Sequence, residues 1–173
     1  MTLGALCLLG TACTDDDGKD VSSTFNLSSH DKQYIDQVAY INLGEIEAGN
    51  IARAKATNTA VIEYGNMMVN DHTQAQSALV VLASQKNHTS LPTQTDQSHK
   101  DMSTHLNALS GEAFDSTYIY MMSEGHSKAI ALFQEQMNSS TDAGVKKYAA
   151  QYLPVIQQHK RTADSLATVL YPR

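Results

Sequence analysis

Between Ser29 and Tyr171, apolar and small residues return every third or fourth position along four long stretches. A chain patterned this way buries those residues by laying helices side by side. In the first stretch Ile35, Val38, Asn42, Glu45, Gly49 and Ala52 form one seam, behind Ser28-Ser29-His30-Asp31, which offers an N-cap and an acid in the first turn. Thr57-Asn58 restarts the chain, and Val61, Gly65, Met68, His72, Ala75, Leu79 and Leu82 form the second seam, ending near Asn87. Leu91-Pro92-Thr93 breaks the pattern, and a shorter segment from about Thr95 to Leu109 follows. The third long stretch, Glu112 to Asn138, carries Ile119, Met122, His126, Ala129 and Phe133. After Ser139-Ser140-Thr141-Asp142 the last stretch uses Tyr148, Tyr152, Val155, His159, Thr162, Leu166 and Val169, with Pro154 inside it predicting a kink. No strand pattern competes. The expected fold is all-α, an up-down four-helix bundle over 29–171 with a short extra helix in the crossover between the second and third long helices.

At 173 residues the chain is long enough for one domain with a real core. With 12 Lys+Arg against 18 Asp+Glu it lacks the basic footprint of a nucleic-acid binder, so no nucleic-acid partner is expected. Its two cysteines, Cys7 and Cys13, both fall in an opening apolar run that is too short for a bilayer span of ~20 residues but suits an export signal. Gly10-Thr11-Ala12-Cys13 resembles a bacterial lipoprotein signal, which makes Cys13 the expected lipidation site. Leucine is usual where Gly10 stands, and no Lys or Arg precedes Cys13, so segment 1–13 reads as a signal incomplete at its N-terminus. Residues 14–28, with Asp15, Asp16, Asp17 and Asp20, read as a polar tether. The expected address is the bacterial cell envelope, anchored by lipid to the outer membrane and either periplasmic or surface-exposed. The membrane is then the one named partner.

Four ionisable residues interrupt the apolar seams, one on each long stretch: Glu45, His72, His126 and His159. Burying such groups is unfavourable by several kcal/mol unless they are paired or ligated. At ~1.5 Å per residue, Glu45 and His72 lie ~18 and ~22 Å from the first turn, and His126 ~21 Å from the second. His159, at ~28 Å, falls about a turn beyond the other three. Imidazoles and a carboxylate in a bundle core suit Zn, Fe, Mn or Cu, and nothing points to an organic cofactor. The chain has no Glu-x-x-His motif of the kind that builds di-iron bundles, which favours a mononuclear site. Asp71, beside His72, is a candidate to support the ligands. A metal-free buried Glu–His hydrogen-bond network is the alternative, and it would suit a non-enzymatic envelope interaction or stress-response module. A catalytic acid–base role is a third reading. No G-x-S-x-G, H-E-x-x-H, C-x-x-C or phosphate loop occurs, so an enzyme is not the expectation. His30, His88, His99 and His105 are expected to be solvated.

Glu45-Ile-Glu-Ala-Gly49-Asn-Ile-Ala52, Met68-Val-Asn-Asp71-His72, Phe114-Asp115-x-x-Tyr118, His126-Ser-Lys-Ala-Ile-Ala-Leu-Phe133 and Leu153-Pro154 with His159 together resemble the bacterial family known as domain of unknown function 4142. The resemblance spans about residues 29 to 170. It implies a ferritin-like bundle in an exported or outer-membrane protein of no established activity. The family's recurrent positions fall here on Glu45, Asp71, His72, Asp115, Tyr118, His126, Pro154 and His159. Asp115 and Tyr118 thereby join Asp71 as candidate supports around the metal.

Overall fold

The computed structural model describes residues 27–172, and every regular element within them is helical: α1 (Ser29–Lys55), α2 (Thr59–Gln85), α3 (Gln97–Ala108), α4 (Gly111–Ser139) and α5 (Ala143–Leu170). The signal segment 1–13, its Cys13 and nearly all of the 14–28 tether lie outside the described residues. Helix starts follow local chemistry. Ser28 accepts the Asp31 amide, Asn58 that of Ala60, Asp96 that of His99, and Asp142 those of Gly144 and Val145. At the end of α2, Asn87 takes the left-handed conformation (φ 55°) and the His88 amide reaches back to the Ala83 carbonyl, a pairing that stops a helix.

The turns joining α1 to α2 and α4 to α5 are only three residues long, so each pair forms an antiparallel hairpin. In the first hairpin Gly49 and Gly65 face each other. A Cβ built on Gly49 would lie 2.9 Å from the Gly65 carbonyl oxygen, so glycine is what lets the two backbones approach. The hairpins meet through α2 against α5 and α1 against α4, while α3 lies on α1 and touches α4 more lightly. The result is a helical bundle of four long helices with one short helix across its side. No helix among the described residues is long and apolar enough to cross a membrane.

The core divides into two apolar clusters. One gathers Tyr34, Val38, Leu79, Phe133, Tyr148 and Ile156; the other gathers Ala48, Met68, Phe114, Ile119, Met122 and Ala163. On each long helix the residues between them are polar: Asn42 and Glu45 on α1, His72 on α2, His126 on α4 and His159 on α5. A buried polar layer therefore crosses the bundle at mid-height.

The seam of α5 differs from the one expected. Its buried positions are Val145, Tyr148, Ala149, Ile156, His159, Ala163 and Ala167, whereas Val169 is 73% exposed. The true contact face is rich in alanine, which carries little hydrophobic signal but lets helices pack closely; Leu166 packs at its edge and Val169 turns away from it. α5 runs without a break through Pro154.

Candidate functional site

The polar layer brings three imidazoles together. The rings of His72, His126 and His159 form a triangle with centroids 5.2 to 5.9 Å apart. One nitrogen of each lies within 4.8 Å of one from each of the others. His159 joins the layer because α5 begins only at Ala143, so His159 stands 16 residues into its helix against 13 from His126 to the end of α4. That offset is ~4.5 Å, within the reach of a side chain and less than the full turn expected.

Each ring is held from outside by an acceptor. His126 Nδ1 donates to the Met122 carbonyl at 2.7 Å, one turn back on α4. His159 Nε2 donates to Asp71 Oδ2 at 2.8 Å, across the α2–α5 contact. His72 Nδ1 donates to Asn42 Oδ1 at 3.0 Å. The Asn42 amide is itself oriented, since its Nδ2 donates to Gln76 Oε1 and to Tyr148 Oη, whose hydroxyl proton goes to the Ala75 carbonyl. A neutral imidazole carries one N–H, so donation outward leaves the other nitrogen of each ring as a bare lone pair. Those nitrogens are His126 Nε2, His159 Nδ1 and His72 Nε2. The first two face each other at 3.3 Å, and the third is buried with no partner.

Electrostatics agree with neutral rings. Burial, then the neighbouring His126 and His159, push His72 well below the ordinary imidazole range. Burial and His159 bring His126 down to about 4. Burial also lowers His159, against the opposing pull of Asp71. The rings border a cavity of about 10 Å³, room for one water-sized sphere, which Phe133, Tyr148 and Ile156 also line. Glu45 lines the same cavity but is not among the groups whose ligand atoms converge. It is 6% exposed, its Oε2 has no partner, and burial raises its carboxyl to about 8.

A family model described as a domain of unknown function, DUF4142, matches residues 18–166. The chain belongs to that family. No curated protein and no solved structure matches it. The DUF4142 match takes in every residue of the polar layer.

The supporting residues named from sequence divide. Asp71 holds His159 directly. Asp115 does not reach the histidines. Its carboxylate accepts the Thr57 and Asn58 amides and the Thr57 hydroxyl, which binds α4 to the α1–α2 turn at the far end of one core cluster. Tyr118 is stacked on Phe114 and edge-on to Tyr64, with an unpartnered hydroxyl. Burial, then the Glu45 carboxyl, push its phenol well above the ordinary range. His88, expected to be solvated, is 8% exposed and bonded to Asp36 at 2.7 Å. Two contributors were not singled out from sequence. Asn42 carried a signal, an amide at a seam position one turn from Glu45. The Met122 carbonyl carried none, because any residue would supply it.

Proposed function

We propose that this DUF4142 bundle holds one divalent transition metal on His72, His126 and His159. The carrying observation is that each ring commits its N–H to an outward acceptor, leaving the lone pairs of His126 and His159 facing each other at 3.3 Å and that of His72 buried without a partner. Facing lone pairs repel, and a cation relieves that repulsion. The spacing suits an ion: two nitrogens bound at ~2.1 Å with tetrahedral angles sit ~3.4 Å apart, close to the observed His126–His159 separation. A small movement of His72 completes a three-imidazole site of the kind that Zn, Cu, Fe or Mn accepts. Asp71, Asn42 and the Met122 carbonyl are the groups that hold the ligands in the required tautomers. A ferritin-like order of helices and a lipid anchor at Cys13 complete the proposal. It describes an envelope lipoprotein that stores, senses or uses the metal in redox chemistry rather than one that hydrolyses a substrate.

The second reading rests on the same 3.3 Å contact. An added proton between His126 Nε2 and His159 Nδ1, with the Asp71 carboxylate bonded to His159 as its counter-charge, joins those rings without metal, giving a structural network in an envelope interaction or stress-response module. Elemental analysis of untagged protein, with melting curves before and after chelator, separates the two. The metal reading predicts about one transition-metal ion per chain and a melting temperature several degrees lower after chelation. Protein that carries no metal and melts unchanged supports the proton network instead.

A further inference from the structure

Glu45 borders two spaces. On one side is the histidine cavity; on the other is a cleft of about 700 Å³ between α1, α3 and α4 that opens to solvent. His99, Asp101 and His105 line the cleft from α3, and Glu124 and Lys128 from α4. The His99 ring lies flat on Gly44, where an added Cβ would fall 1.9 Å from its Cδ2, and its Nδ1 is bonded to Asp96. That wall of the cleft is therefore built to a close fit.

Beside the carboxylate the helix has no side chain at all. Gly125 immediately precedes His126, lines the cleft, and a Cβ there would stand 3.6 Å from Glu45 Oε1. Glycine inside a helix is unfavourable by about 1 kcal/mol relative to alanine. Here it leaves an opening through which Glu45 meets the cleft. Within the bundle Glu45 Oε2 has no donor, so nothing pins the carboxylate to one orientation. A second surface depression reaches Asp71 and His159 beside Pro154, where the two side chains are hydrogen-bonded to each other at 2.8 Å.

We propose that the α1–α3–α4 cleft is the loading port of the histidine site, and that Glu45 passes a divalent cation from the cleft to the three ring nitrogens. This rests on the metal reading above. The cleft offers an arriving cation the Asp101 carboxylate, the Glu124 carboxylate paired with Lys128 at 2.7 Å, the His99 and His105 imidazoles, and the buried Glu45 carboxyl.

The test follows zinc uptake and release in the metal-free full chain by stopped flow with a chromophoric chelator. Gly125→Leu fills the opening without touching a ligand, so it should slow uptake and release together, each at least tenfold, with the Kd within about threefold of wild type. Glu45→Gln keeps the shape and places a neutral amide where the buried carboxyl has no partner, so it folds, and uptake should slow at least tenfold. If both variants load at the wild-type rate, the port lies elsewhere and the proposal is overturned. Glu45→Gln that loads normally but releases faster makes Glu45 only a ligand, which also overturns it. Wild-type protein that takes up no zinc instead defeats the metal reading on which this one stands.

Discussion

At the scale of single residues, direction matters more than proximity. Three buried histidines close together would be an ordinary core cluster if their N–H groups pointed at one another. Here Asn42, Asp71 and the Met122 carbonyl draw them outward. Asp71→Ala removes the acceptor that fixes the His159 tautomer, and zinc affinity measured by chelator competition should fall about 10–100-fold with the helical content unchanged. An Asp71→Ala protein that binds as tightly as wild type would detach Asp71 from the site. The same buried groups make the metal-free protein pH-sensitive. His126 titrates near its ordinary 6.5 when unfolded and at about 4 when folded, so between those values the unfolded chain binds more protons and stability rises with pH. Glu45 runs the other way: it titrates near 4.5 unfolded and about 8 folded, so stability falls as pH rises across that range. Above pH 6.5 the histidine contribution is complete and the Glu45 contribution persists. Urea unfolding should show stability declining from pH 6.5 to 8, and Glu45→Gln should flatten that decline; an equal slope in both proteins would contradict the assignment.

Among the elements, the seams of α1, α2 and α4 and their stops were legible in sequence because large apolar residues and capping side chains mark them. The α5 face was legible only in part: Tyr148 and His159 are buried as expected, but Ala149, Ala163 and Ala167 pack closely while contributing little to a hydrophobic pattern. Glu45, His72, His126 and His159 stood out in sequence as ionisable residues in apolar seams. Whether His159 joins His72 and His126 depended on where α5 starts, a matter of a few residues in a turn. Asp115 shows the limit of inferring a role from a motif. Three turns along α4 from His126, it satisfies the backbone of the α1–α2 turn, a contact 57 and 58 positions distant that no local pattern announces. Asp115→Ala should therefore lower stability by about 1–3 kcal/mol in urea unfolding, since it strands three part-buried donors of the α1–α2 turn, and leave zinc affinity as it was. A loss of zinc affinity without a loss of stability would return Asp115 to the site.

Over the whole molecule, the polar layer interrupts what would otherwise be one continuous apolar core. Such a layer is a poor way to stabilise a bundle, because well-packed hydrophobic residues of similar volume commonly do as well or better. Its presence on all four long helices, with every ring oriented from outside, is the fold-level reason to read it as a binding site, and the split into two apolar clusters lets each half of the core pack independently of what the layer holds. The most direct test is a zinc titration of the metal-free full chain beside His126→Ala, with circular dichroism to verify that both are folded. One tight equivalent per chain, absent from His126→Ala, is the predicted result. No tight equivalent in the wild type, or one that survives in folded His126→Ala, would contradict the account.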